Sequence, residues 1–234
     1  MTIAIMQPYI FPYIGYFQLI SAVDRFIIYD DVNYIKQGWV NRNNILIQGE
    51  KNMFTIPLAK ASQNIKINET LVNQELYKSW KAKFIKSLEH SYKKATYFNE
   101  VFALLTDFFV TNYATVASLT VESLKTVSEY LNIETEIVET SSGYNNDHLS
   151  AQERILDICL QEKATHYINP IGGLELYSKE DFKKNQIKLN FIKSNPIEYK
   201  QFKNEFVPWL SIIDVMMFNS PSEISEMLNQ YELV

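Results

Sequence analysis

A chain of 234 residues, 47% apolar and 21% charged, has the composition of an ordinary folded protein with length for a sizeable core. Its net charge of −5 speaks against non-specific nucleic-acid binding, which needs clustered Lys and Arg to displace counterions. No apolar run approaches the roughly 18 residues of a spanning helix, and the opening residues lack a secretion signal, so a cytoplasmic protein without membrane insertion is expected. The single Cys159 cannot form an internal disulfide, fits a reducing compartment, and reads as buried filler in a helical apolar pattern.

Residues 3–6 read as a first β-strand, and Phe17, Leu19, Ile20 and Ala22 as one face of a helix. Between them lies a loop stiffened by Pro8 and Pro12 and relaxed at Gly15, with Tyr9, Phe11, Tyr13 and Tyr16 offering ring faces and phenol hydroxyls. Such a strand–loop–helix opening predicts an α/β domain whose first loop lies over the sheet's carboxyl end, where ligands of open α/β folds sit. Residues 26–29 form a second apolar strand ending at Asp30-Asp31. A carboxylate there serves as general base, amine ligand or metal ligand; alternation along a strand turns only one of the two toward the crevice. Plain strand-ending turn chemistry is the competing reading. In the segment 39–44, Arg42 is suited to phosphate and Asn41, Asn43 and Asn44 to sugar or base edges, unless the segment is a simple loop. Runs 45–47 and 54–56 are strands, with Gln48-Gly49-Glu50 as a hairpin turn.

Residues 73–131 change character. Leu76, Trp80, Phe84 and Leu88 recur every four residues; Val101, Leu104, Leu105 and Phe108 form a second apolar face, and Val116, Leu119, Leu124 and Val127 a third. Three successive helices are predicted, the first with its lysines on a solvated face. The α/β rhythm then returns: a strand at 136–139, the polar loop 140–147, a helix from the capping-box signature Ser150-Ala-Gln-Glu153, and a strand at 165–169. A Pro-Ile-Gly-Gly turn, a short helix near 179–185, a strand at 187–192 and helices over 210–217 and 223–231 (capped by Ser222) complete the chain.

The predicted fold is a Rossmann-like α/β arrangement with a mostly parallel sheet, organised as one domain. Its core comprises residues 1–72 and 132–200, with a helical block at 73–131 and C-terminal helices at 201–234. Loops 7–16, 30–44, 140–148 and 169–173 should then meet at the carboxyl edge. Asn169, Gly172 and Gly173 offer backbone amides to an anion, or a plain turn. His148 lies in a polar loop just before a capped helix, where its ring is expected to be exposed, whereas His166 reads as a core or edge residue. Ser211 and Asp214 share a helix face, as packing partners or crevice lining. No His/Cys cluster has metal spacing, and neither a Walker loop nor a Gly-x-Ser-x-Gly elbow occurs.

Five segments, taken together, resemble the WbqC-like family over nearly the whole chain: Met6-Gln-Pro-Tyr-Ile-Phe-Pro-Tyr-Ile-Gly-Tyr-Phe-Gln-Leu-Ile20, Asp30-Asp-Val-Asn-Tyr34, Asn41-Arg-Asn-Asn-Ile45, Tyr167-Ile-Asn-Pro-Ile-Gly-Gly173 and Phe206-Val-Pro-Trp-Leu-Ser-Ile-Ile-Asp214. Members of that family are typically encoded with bacterial O-antigen and other surface-polysaccharide genes. The resemblance implies work on an activated sugar, with acyl or aminoacyl transfer to the amine of a nucleotide-linked amino sugar as the expected reaction; it assigns no cofactor. On this expectation Asp30, Asp31 or His148 is the general base. Gln7, Tyr9, Tyr13, Gly15, Tyr16, Asn41, Arg42, Asn43, Asn169, Gly172 and Gly173 contact the substrate, with Arg42 and the paired glycines on phosphate. The opening is also similar to that of adenylate-forming nucleotidyltransferases related to pantothenate synthetase. Here Tyr13-Ile-Gly-Tyr16 stands where that group has His-x-Gly-His, which removes phosphate stabilisation by imidazole. An ATP-dependent ligase on a similar substrate, or a non-catalytic sugar-nucleotide binding or scaffold protein, are the alternative readings.

Overall fold

The computed structural model describes residues 1–203 and 205–234. Strand β1 (Thr2–Met6) leads through the first loop to helix α1 (Ile14–Ser21) and strand β2 (Arg25–Ile28). A hairpin of β3 (Arg42–Ile47) and β4 (Glu50–Thr55) follows, then the short pair β5 (Leu58–Ala59) and β6 (Leu71–Val72). Helices α2 (Gln74–Tyr92), α3 (Phe98–Phe108) and α4 (Val116–Tyr130) come next. The chain then alternates through β7 (Glu136–Val138), α5 (Ala151–Gln161), β8 (His166–Pro170), α6 (Lys179–Lys184) and β9 (Lys188–Ser194). It ends in α7 (Ile212–Phe218), α8 (Pro221–Leu228) and β10 (Tyr231–Leu233).

The main sheet has the order β10-β9-β8-β1-β2-β7, with every neighbouring pair parallel except β10 on β9. The chain winds outward from β1 through β2 to β7, then restarts at β8 on the other side. That is the doubly wound Rossmann-like order, with its switch point between β1 and β8. Both faces are covered, so the central strands are continuous apolar runs rather than alternating ones. Ile3 and Ile5 join Ile27, Tyr167 and Phe191 beneath Ile155 and Ile158 of α5 and Phe182 of α6. Ala4 faces the other way, with Phe26 and Ile168 beneath Phe17 of α1 and the helical block.

Packing of the helical block follows its predicted stripe from Trp80 onward, but Leu76 is exposed and Tyr77 takes its place in the core. Tyr77, Trp80 and Phe84 stack along α2, with Trp80 lying over Phe84 at 4.8 Å between ring centroids. Gln18, wholly buried in α1, donates to the carbonyls of Met227 and Gln230 at 2.8 and 3.0 Å, satisfying acceptors at the end of α8. The hairpin turns through Gln48 and Gly49, both at positive φ (54° and 82°), as tight two-residue connections require.

Several boundaries differ from the sequence expectation. Strand β3 begins at Arg42, inside the asparagine-rich segment, because Asn43 and Asn44 are buried and bonded rather than looped out. Helix α8 is capped by Ser220, not Ser222: Pro221 opens the helix and Glu223 closes the capping box. Tyr231 belongs to an edge strand rather than to that helix. Ser150 precedes α5 but makes no side-chain cap bond.

Candidate active site at the carboxyl edge of the sheet

The loop after β1 is braced by side chains from several parts of the chain. Non-repetitive backbone needs partners from elsewhere, and four elements supply them. Asn43 Nδ2 donates to the carbonyls of Ile10 and Phe11 at 3.2 and 2.7 Å. Ser211 Oγ donates to the Phe11 carbonyl at 2.6 Å, and the Phe11 amide donates to Ser123 Oγ of α4 at 3.3 Å. Tyr16 Oη donates to the Gln7 carbonyl at 2.7 Å. These bonds hold Phe11 at a positive φ of 39°, which a β-carbon-bearing residue adopts only under such constraint.

This bracing reassigns several residues singled out as substrate contacts. Tyr16 and Phe11 are core side chains; Tyr9, Tyr13 and Gln7 are half-buried and reach the surface of the loop. Asn41 is buried, accepting from Tyr34 Oη at 2.7 Å and donating to the Ile56 carbonyl at 2.8 Å. Arg42 turns back on the loop that precedes its hairpin, donating to the Gly38 carbonyl at 2.9 Å with its guanidinium 5.6 Å over the Trp39 ring. Gly15 is needed for contact: a Cβ there would lie 2.4 Å from the Tyr13 ring and 2.6 Å from Ser194 Oγ.

Asp30 and Asp31 are brought together with loop 140–147. Alternation along a strand would turn them apart, but β2 ends at Ile28 and both carboxylates converge on Ser141. Thr140 Oγ1 and the Ser141 amide donate to Asp30 Oδ1 at 2.8 and 3.1 Å. Ser141 Oγ donates to Asp31 Oδ1. Arg154 of α5, only 3% exposed, donates to Asp31 Oδ2 and, at 2.9 Å, to Asn146 Oδ1. Asn146 is held in turn by Asp157 at 2.7 Å, and the guanidinium lies 4.9 Å over the Tyr29 ring.

The two carboxylates therefore sit in different environments. Asp31 has both oxygens occupied and its charge matched by a buried guanidinium. Asp30 has neutral donors only, all on Oδ1; among the described residues no hydrogen bond reaches Oδ2. Burial, reinforced by the Asp31 charge, pushes the Asp30 carboxyl above the ordinary carboxylate range, and the Thr140 and Ser141 bonds only partly offset this. A carboxylate with raised proton affinity and one oxygen uncommitted can take a proton from a ligand. His148 lies on the same loop system but is exposed, and its ring makes no hydrogen bond among the described residues.

Across the switch point, Asn169 ends β8. It accepts from Tyr167 Oη at 3.0 Å and donates to the Pro170 carbonyl at 3.2 Å. Gly173 is required beside it, since a Cβ would fall 1.8 Å from Asn169 Nδ2, while Gly172 is exposed with open space around it. Among the described residues no His, Cys, Asp and Glu cluster could hold a metal ion, and no helix is long and apolar enough to cross a membrane. Arg154, Ser141, Thr140 and Asn146 carry this site yet were not singled out from the sequence. The only available signal was the strand-following position of loop 140–147.

The WbqC-like protein family model matches residues 7–226. An uncharacterized protein of Mycobacterium tuberculosis, Rv1507c, is 31% identical over 229 residues, spanning 97% of this chain and 96% of its own. No solved structure gives a significant match. The matched span contains the braced first loop, the paired aspartates, the 140–147 loop and the Asn169–Gly173 turn. The chain belongs to the WbqC-like protein family.

Proposed function

We propose that the protein is an enzyme of bacterial surface-polysaccharide precursor synthesis, transferring an acyl or aminoacyl group to the amine of a nucleotide-linked amino sugar, with Asp30 as general base. The observation that carries this reading is the division of labour between adjacent aspartates. Arg154 neutralises Asp31, while Asp30 keeps Oδ2 uncommitted in a desolvated position at the end of β2, one strand from the switch point. Asp30 Oδ2 takes a proton from the substrate ammonium. The freed nitrogen lone pair forms the C–N bond at the acyl carbon, and the donor's leaving group departs with the bonding pair and takes the second proton that the nitrogen sheds on becoming an amide. The turn at Gly172 and Gly173 is the natural seat for phosphate oxygens, with Gln7 and Tyr9 of the intervening β1 loop as contacts between that turn and Asp30. The adenylate-forming alternative draws no support from Tyr16, whose hydroxyl is committed to the Gln7 carbonyl.

The test is incubation with nucleotide amino sugars and acyl-CoA, with or without ATP and amino acids, read by mass spectrometry. An N-acylated sugar nucleotide is expected from the wild type, formed on the order of 100-fold more slowly by a folded Asp30→Asn variant. Saturable sugar-nucleotide binding with no product under any condition would replace the enzyme with a binding protein, and strictly ATP-dependent product would favour the ligase.

A further inference from the structure

A second concavity lies at the other side of the carboxyl edge, past β9, and no residue of it takes part in the Asp30 cluster. It encloses about 620 Å³, within the range of small-molecule sites. Its walls are aromatic. Tyr13 and Trp209 meet edge to face at 5.9 Å between centroids, and Tyr199 and Phe206 do so at 5.1 Å. Its charged lining consists of Glu198 and Glu205, both exposed, and among the described residues no lysine or arginine lines it.

Trp209 is the unusual member. It is 68% exposed, although a large ring of this kind is ordinarily covered, and its backbone is held at a positive φ of 61°. That conformation is disfavoured for any residue with a β-carbon and is not offset by burial of the ring. The wall behind is rigid: Tyr199 Oη donates at 2.7 Å to Asp214, which is wholly buried.

Ring faces carry negative quadrupole density, and carboxylates at the opening add formal negative charge, so the combination selects a cation. The amino end of α1, at Ile14 and Gly15, also borders the cavity and contributes roughly half a positive charge, against two carboxylates. We propose that this cavity is a recognition site for an organic ammonium ion, held against Tyr13, Tyr199, Phe206 and Trp209 with Glu198 and Glu205 as counter-charges. An amine held here stays protonated and cannot attack a carbonyl, so this ligand group is distinct from the amine acylated beside Asp30. Strand β9 lies three strand positions from β2, roughly 14 Å away, and the two sites are separable by mutation.

The test is NMR of the three tryptophan indole N–H signals, Trp209 being identified by its loss in Trp209→Gly. Choline is the probe and uncharged 3,3-dimethylbutan-1-ol its isostere. Choline should move the Trp209 signal saturably and leave Trp39 and Trp80 in place, with the alcohol at least about tenfold weaker. The Glu198→Gln/Glu205→Gln pair should weaken choline by about tenfold, and Asp30→Asn should leave it unchanged. Trp209→Gly should abolish the saturable heat of choline binding in calorimetry at an unchanged or raised unfolding midpoint, since glycine relieves the backbone. Equal response to the alcohol, no saturable movement of Trp209, or a lowered midpoint in Trp209→Gly would overturn the proposal.

Discussion

Two networks of buried carboxylates hold the loops at the sheet's carboxyl edge, and they are neutralised in opposite ways. Beneath the ends of β2 and β7, the Asp31 charge meets the Arg154 guanidinium while Asp30 keeps one oxygen uncommitted. Beneath the C-terminal segment, Asp214 has no cation within ion-pair reach among the described residues. Tyr92 donates to its Oδ1 at 2.8 Å, and Tyr199 and Gln201 each donate to its Oδ2 at 2.7 Å. Burial pushes the Asp214 carboxyl upward, with those three donors opposing the shift. Both Asp30 and Asp214 are thus buried and raised, yet only Asp30 has an unused acceptor. Tyr92 explains why Asp214 is saturated: its hydroxyl also accepts from the Leu46 amide at 2.7 Å, tying the hairpin and the helical block to the C-terminal segment. One network is a brace, and the other is a brace with a vacant oxygen.

The comparison breaks first at Arg154. Arg154→Met leaves the Asp31 charge buried without its partner and should cost about 3–5 kcal/mol, lowering the midpoint by roughly 10 °C or more. An Asp31→Leu/Arg154→Met double variant should recover much of that in denaturant titrations, because apolar pairs replace buried ion pairs well. A neutral Arg154→Met would mean that the pair is not buried in solution. Next comes Tyr199→Phe, which removes one of three donors from Asp214 and should cost about 1–3 kcal/mol without touching Asp30.

The smallest effect is in pH dependence. A raised folded-state pKa means that the folded protein binds the Asp214 proton more tightly than the unfolded chain does. Stability referred to this group is therefore greatest in acid and falls as pH rises from the ordinary carboxylate pKa to the raised folded value. The midpoint difference, wild type minus Asp214→Asn, should shrink across that window; growth with pH would reverse the sign and remove the claim of a desolvated carboxylate.

What was legible in the sequence was whatever depends on local periodicity. The four-residue apolar spacing at Leu76, Trp80, Phe84 and Leu88 gave α2, and continuous apolar runs gave β1 and β2. The strand–helix alternation gave the Rossmann-like sheet. Arg154 was illegible because a charge within an amphipathic helix reads as solvent-facing, and its partner lies 123 positions away. Asn43 illustrates the opposite error: polar residues after a strand suggest ligand binding, but this one is consumed by two carbonyls of the proline-stiffened first loop. Asp30 was visible as a candidate, but its distinction from Asp31 was not, since Thr140, Ser141 and Arg154 create it from distant parts of the chain.

The most direct test of the account is turnover of Asp30→Asn beside Asp214→Asn, both verified as folded, on whichever nucleotide amino sugar yields product. The account predicts a loss on the order of 100-fold for Asp30→Asn and less than about tenfold for Asp214→Asn. Full activity in Asp30→Asn, or an equal collapse in both, would contradict the assignment of the vacant carboxylate oxygen as the working group.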